Sequence, residues 1–412
     1  MSPAGPSLSR DAAVLVGTLA AIYLVSQFLR NSVGVIAPDL AREIGLSAGE
    51  IGLLSSAFFF SFAAAQIPLG IALDRYGPKR CMLVCATIAF VGTVVFAVAA
   101  SPSGLIAARV LMGLGSSCYL MAPLALYARR FPPERFTALA GIQIGIGTVG
   151  TLLVTAPLAF ATATIGWRMT FMAVAGVVIV GAILVMLVVE EKAADRAQHP
   201  ETFAESLSGV AEVVRMRGFW PLFLMNVVAY SSYVMIVGLW GGPYLTHVYG
   251  YGLVTRGELL MFPALSQIAG VVIWGQVQRL TGNYKPLVLA GSLMTAAALA
   301  LLAALGKPDP LVLGIWLALF GFFPGFLPVL ISHGRSILPP RLVGRGMTLF
   351  NIGSMGGTFV AQLASGALID LFPAQAGVYP LAAYQAVFAA QAVAVLAACA
   401  VYARWREGAS HP

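Results

Sequence analysis

Twelve apolar runs, each long enough to cross a lipid bilayer, dominate this chain. They fall at about 12–37, 48–73, 80–100, 103–128, 137–161, 169–189, 218–246, 257–280, 286–305, 310–334, 346–371 and 380–403. A helix of about 20 apolar residues spans the hydrocarbon core, and lipid forces each segment to satisfy its own backbone hydrogen bonds. An all-α integral membrane protein of twelve transmembrane helices is therefore expected. Only 10% of the 412 residues are charged, against roughly 25% in soluble domains. The first nine residues carry no basic segment and the first run is of full spanning length, so it reads as a retained helix and not a cleaved signal.

The charges that remain are distributed unevenly. With the N-terminus inside, the even-numbered connections and the two ends hold eighteen Lys and Arg, among them Arg129, Arg130, Lys192, Arg196, Arg341, Arg345 and Arg406. The opposite side holds four, Arg42, Arg168, Arg256 and Lys307. Basic residues favour cytoplasmic loops, so both termini are expected in the cytoplasm, most simply at a bacterial inner membrane. The net charge of +8 reflects this bias. It forms no basic run with an aromatic platform, and nucleic acid is not an expected partner. Cys81, Cys85, Cys118 and Cys399 lie in apolar runs without metal-ligand spacing and read as small buried hydrophobes.

Between the second and third runs stands Gly70-Ile-Ala-Leu-Asp74-Arg75-Tyr76-Gly77-Pro78-Lys79-Arg80. Gly77 accepts positive φ and Pro78 fixes its own, which makes a tight reversal. A carboxylate such as Asp74 at the membrane rim calls for a cation or a helix N-terminus. The pattern Gly-x-x-x-Asp-Arg-x-Gly-x-Lys-Arg resembles the loop signature of the major facilitator superfamily. That resemblance implies two parallel-repeat six-helix bundles rocking about a central site. It also implies a latch in which Asp74 caps the start of the eleventh helix across the bundle interface while Arg75, Lys79 and Arg80 pair on the cytoplasmic side.

Internal repetition agrees with two bundles. Gly70, Asp74 and Gly77 are echoed by Gly275, Arg279 and Gly282, and Phe131-Pro132-Pro133 by Leu338-Pro339-Pro340, at nearly one offset. The expected division is a first bundle over 1–189, a linker over 190–217 and a second bundle over 218–412. Within the linker, Phe203, Leu207, Val210 and Val214 recur at helical spacing beside Glu205, Glu212 and Arg215, which suggests a surface helix.

Two arginines lie inside apolar runs. Leu105-Ile-Ala-Ala-Arg109-Val-Leu-Met-Gly113 resembles the family's second motif and marks Arg109 and Gly113 as conformational residues, with snorkelling of Arg109 to the rim as the alternative. Arg30 lies 16 residues beyond Val14, about 24 Å along a helix, where snorkelling is harder. An arginine in a cavity binds carboxylate or phosphate bidentately. The run from Arg30-Asn31 to Ala37-Pro38 is similar to the first helix of the organic-anion/cation symporter branch, which implies anion binding by Arg30.

Other polar residues mark candidate substrate-facing positions: Asn31, Gln66, Tyr119, Gln143, Asn226, Tyr230, Tyr233, Trp240, Gln267 and Asn351. Each could equally be an interhelical hydrogen bond. Glycine stripes in the fifth run (Gly141, Gly145, Gly147, Gly150) and the eleventh (Gly346, Gly353, Gly356, Gly357) read as close helix packing. Gly145-Ile-Gly-Thr-Val-Gly150 lacks the proline of the family's drug-antiporter signature, which counts against export of drug-like compounds, the first alternative. A receptor built on a transporter fold is the second.

No acidic residue falls mid-membrane, so the coupling candidates are His333, near the end of the tenth run, and the rim carboxylate Asp39. Phosphate-binding loops, zinc-protease motifs and nucleophile elbows are absent, and the His residues are isolated, so neither an enzyme nor a metal or other cofactor is expected. The expected function is alternating-access transport of a small solute, with import of a small organic anion coupled to a cation such as a proton as the favoured form. The protein is expected to act as a monomer in the bilayer.

Overall fold

The computed structural model of the protein describes residues 10–190 and 203–405. Lys192, Arg196, His199, Arg406 and His411 lie outside the described residues, as do the side chains of Phe203, Glu205 and Leu207. Among the described residues, eleven helices are long and apolar enough to cross a membrane, and a shorter apolar helix at Ala138–Leu153 makes the twelfth. An even number of crossings puts the first and last described residues on one face, called here the terminal face. The other is the far face.

Several spans are broken where the sequence reads as continuous. The first runs Arg10–Asn31, breaks at Ser32, and resumes as Val33–Ile44 through Pro38. It outlasts the expected 12–37 because Gly45, at φ 79°, and not the proline, ends it. The fourth divides at Ser117, and the tenth passes through a 3₁₀ turn at Phe323–Phe326. The seventh holds a π-helical turn, Ile236–Trp240, between Phe219–Met235 and Gly241–Tyr249. The fifth begins with Pro133–Leu153 and continues into Ala156–Val188, where Gly166 at φ 77° separates it from the sixth. Irregular backbone at membrane depth is tolerated where protein buries it. The breaks in the first and seventh spans occupy equivalent places in the two halves.

The expected reversal is present: Gly77 adopts φ 85° and Pro78 opens the third span, Pro78–Val98. Ser47 and Glu50 form a capping box that starts the second span, Ala48–Tyr76. A helix at Phe203–Val214 stands in the linker as the spacing suggested. All four cysteines are buried and free.

How the core divides is the feature that matters for function. In the far half, one continuous apolar core joins both bundles, with Leu29, Phe58 and Leu158 packed together with Tyr233, Leu260 and Ile369. In the terminal half the core splits. Leu15, Leu73, Tyr127 and Val185 belong to a cluster of the first bundle, and Phe219, Phe326, Leu349 and Tyr402 to a separate cluster of the second. The bundles are fused at the far face and parted toward the terminal face.

Candidate functional site

Three arginines are buried, two at membrane depth and Arg256 at the far rim, and their partners sort them. Arg109 is fully buried and donates to the carbonyls of Leu29 (2.5 Å) and Arg30 (3.1 Å). Those acceptors lie just before the break at Ser32, whose hydroxyl also donates to the Leu29 carbonyl at 3.1 Å. Its guanidinium also lies 4.7 Å from the centroid of Phe58. Arg109 therefore holds the bend of the first span, and snorkelling is ruled out. Arg256, from the eighth span, is ion-paired with Asp39 and donates to the carbonyl of Val35 at 2.7 Å.

Arg30 has neither solution. It is 6% exposed, donates to the hydroxyl of Tyr230 at 3.2 Å, and sits 4.7 Å over the ring of Phe62. Its Nε has no hydrogen-bond partner, and no carboxylate pairs with it among the described residues. A buried cation in low dielectric is costly without a counter-charge. Phe62 and Tyr230 come from opposite bundles, so the unneutralised guanidinium stands at the interface between them.

Below this point, toward the terminal face, the bundles enclose a cavity of about 410 Å³. Gln66, Gly70 and Asp74 of the second span form one wall, and Arg341, Arg345, Thr348 and Ile352 of the second bundle the other. Val210 of the linker helix also lines it, and Glu212 on that helix binds Arg341 at 2.5 and 2.9 Å. Gln66 donates to the carbonyl of Phe62 at 3.3 Å, so the cavity reaches to one turn from the ring that Arg30 covers.

The far face is closed by direct contact. A Cβ on Gly52 would lie 2.7 Å from the carbonyl oxygen of Gln362 and 3.0 Å from Gly366 Cα, so the second and eleventh spans touch backbone to backbone. Asp370, last residue of the eleventh span, accepts from the backbone N–H groups of Ala48 (3.0 Å) and Gly49 (2.7 Å) and from the Ser47 hydroxyl (3.2 Å). Tyr379 donates to the same carboxylate at 2.6 Å and accepts from Ala48 N–H at 2.9 Å. Burial and the neighbouring Asp370 raise the Tyr379 phenol above its ordinary pKa, so it remains a donor. The carboxylate thus caps the N-terminus of a helix in the other bundle.

The expected latch on the terminal face is not made in this conformation. Asp74 pairs instead with Arg129 of its own bundle at 2.7 Å, and the cavity separates it from the start of the eleventh span. Lys79 donates to the carbonyl of Met186 at 2.8 Å, and Arg75 packs on Tyr76. Arg80 is exposed, and Gly70 faces open space. Gly113 packs against the second span at Phe58.

Of the candidate substrate residues, Tyr230 meets Arg30 and Gln66 lines the cavity. Tyr233 is buried with its hydroxyl unpartnered, and Asn351 keeps an unpartnered amide nitrogen. Gln143 is spent on packing: it donates to the carbonyls of Leu19 (2.9 Å) and Tyr119 (3.4 Å) and accepts from Tyr127 (2.9 Å), all in the first bundle. Tyr119 is buried in the first bundle's own core. Asn226 ties the seventh span to the eleventh through Phe350 and Ser354, and Trp240 does so through Ser365. Asn31 bonds back to Gln27, and Gln267 is half-buried on the eighth span.

His333 also stands away from the interface. It hydrogen-bonds Tyr402 at 2.6 Å and stacks on Tyr284 inside the second bundle, and it does not line the cavity. Asp39 does lie at the interface, in the pair with Arg256. The glycine stripes are packing only in part: Gly147 and Gly150 meet the first span and Gly353 and Gly357 the seventh, while Gly141, Gly145 and Gly356 face open space. Asp370, Arg256, Phe62 and Gln362 were not singled out from the sequence. The signal for Asp370 was available, since it ends a span just as Asp74 does.

The model of the Major Facilitator Superfamily matches residues 19–333. The chain belongs to that superfamily. Superfamily relatives include a probable sulfoacetate transporter of Cupriavidus necator, 26% identical over 312 residues, covering 69% of this chain and 71% of that protein. A gentisate transporter of Corynebacterium glutamicum is 26% identical over 372 residues, 87% and 82% of the two chains. A hexuronate transporter of Escherichia coli K12 is 24% identical over 382 residues, 87% of each. Among solved structures, a bacterial homolog of the human lysosomal transporter Spinster, inward-facing and unoccupied, superposes with a TM-score of 0.79 over 96% of this chain and 97% of that one. At 18% identity, this likeness speaks for the fold alone. The protein is a secondary transporter of this superfamily and not an enzyme.

Proposed function

We propose that the protein imports a small organic anion, with Arg30 as its charge partner and the terminal face in the cytoplasm of a bacterium. The observation that carries this reading is the Arg30 guanidinium: buried, placed between the bundles and without a carboxylate partner, where Arg109 is taken up by two backbone carbonyls and Arg256 is paired with Asp39. An anionic substrate supplies the missing charge, and a planar carboxylate or sulfonate suits the fork of donors. The relatives' names, sulfoacetate, gentisate and hexuronate, are all those of organic acids, which supports the same class.

The second and eleventh spans supply the alternation. Each carries a carboxylate near its end: Asp370 caps the second span at the far face, and Asp74, paired here with Arg129, is the proposed cap of the eleventh at the terminal face. The first clamp is closed here and the second is open. Rocking the bundles breaks one as it makes the other, so each clamp stabilises one conformation. A proton is the proposed co-substrate. Its proposed site is Asp39, whose ion pair with Arg256 joins the two bundles near the far face.

Thermal protection of the purified protein tests the charge requirement. Small carboxylates and sulfonates are expected to raise the melting temperature of the wild type and not of Arg30→Ala, while lipophilic cations raise neither. Protection by cations, or anion protection that survives Arg30→Ala, refutes this reading.

A further inference from the structure

Gln362 on the eleventh span is 0% exposed, yet neither its amide oxygen nor its amide nitrogen has a hydrogen-bond partner. On the second span, one turn from Gly52, which packs against the Gln362 backbone, Ser55 is also fully buried with its hydroxyl unpartnered. A buried polar group left unpaired has lost its hydrogen bonds to water and gained none in return. Two such groups within about one turn of the contact between the second and eleventh spans are costly as packing residues, since leucine and alanine would fill the same space without that cost.

Their depth matches that of the charge site. Arg30 lies nine residues below the rim carboxylate Asp39, and Gln362 eight below Asp370. At 1.5 Å per residue these are about 13 and 12 Å. Tyr233, with its own unpartnered hydroxyl, lies three residues from Tyr230, which holds Arg30. The charged and neutral groups therefore share one layer, and parting the bundles at the far face exposes both.

We infer that Gln362, together with Ser55, is a specificity subsite that hydrogen-bonds the hydroxyl oxygens of the substrate, so that the transported anion is a polyhydroxylated carboxylate. The primary amide offers two donors and one acceptor, and a serine hydroxyl one donor with acceptor capacity. A substrate carrying several hydroxyls satisfies both groups; an alkyl carboxylate leaves them desolvated and unpaired. Sites that hydrogen-bond a substrate hydroxyl reject the analogue lacking it far more strongly than apolar pockets discriminate by size. This inference rests on the anion reading of Arg30 and narrows it.

Gluconate and hexanoate, equal in chain length and charge, separate the two. Binding to the purified full-length protein is expected to favour gluconate by more than about tenfold. Gln362→Leu is expected to weaken gluconate by about tenfold and leave hexanoate within about twofold, with partial recovery in Gln362→Asn. Arg30→Ala weakens both ligands. Equal affinity of the wild type for the two acids, or an unchanged ratio in Gln362→Leu, overturns the subsite while leaving the anion reading in place. Failure of the wild type to bind either acid overturns both. A merely structural Gln362 would change the melting temperature without changing the ratio.

Discussion

Replacing Asp370 by Asn removes the charge from the far-face clamp and keeps its shape. The carboxylate receives four donors: the N–H groups of Ala48 and Gly49, the Ser47 hydroxyl and the Tyr379 hydroxyl. An amide retains one oxygen and turns its nitrogen toward donors. Hydrogen bonds to a charged group contribute about 1.5–3 kcal/mol, and a charge at a helix N-terminus about 0.3–1 kcal/mol. Asp370 is exposed, so solvent screening reduces both, and a net loss of about 1–2 kcal/mol is reasonable. That corresponds to about a 5–30-fold change in the ratio of far-face-closed to far-face-open molecules. Spin labels at Ser103 and Gln375, exposed on the far face in opposite bundles, report that ratio in a background with the four native cysteines replaced. Asp370→Asn is expected to add or enlarge a longer-distance population, with Tyr379→Phe giving a smaller shift of the same sign. An unchanged distance distribution in Asp370→Asn would refute the clamp.

Arg109→Met removes the donor to the Arg30 carbonyl, at about 1–3 kcal/mol, and leaves the Leu29 carbonyl with the Ser32 hydroxyl alone, so the variant should melt below the wild type in a thermal scan. It should lose affinity only in proportion to its folded fraction. Gly52→Val places a side chain against the Gln362 carbonyl and Gly366, forcing the far face apart; the same spin-label pair should show the longer distance dominating.

The twelve spans were legible because long apolar runs have essentially one fate in lipid. What the sequence left open was which polar residues inside those runs are satisfied. Arg30 and Arg109 look alike as isolated arginines in apolar helices. The carbonyls beside the break at Ser32 occupy Arg109, whereas Arg30 meets the Tyr230 hydroxyl and the Phe62 ring and no carboxylate among the described residues. Gln143 and Gln362 are likewise both single glutamines in glycine-bearing helices. Three bonds within the first bundle silence Gln143, and the meeting of the second and eleventh spans leaves Gln362 without any. His333 reads as a titrating group until the aromatic rings of its own bundle are seen around it. Asp370 lies more than three hundred residues from the helix it caps, a pairing no local pattern encodes.

Alternate exposure of one central layer is most directly tested by single cysteines on its two sides. Ile67→Cys lines the terminal-face cavity and Ser55→Cys sits under the closed far face. In sealed proteoliposomes, a membrane-impermeant maleimide should label the first from the terminal face only and the second from the far face only. Adding Asp370→Asn should raise labelling at 55 and lower it at 67. Labelling of both positions from one face, or a rise at both together, would contradict the account.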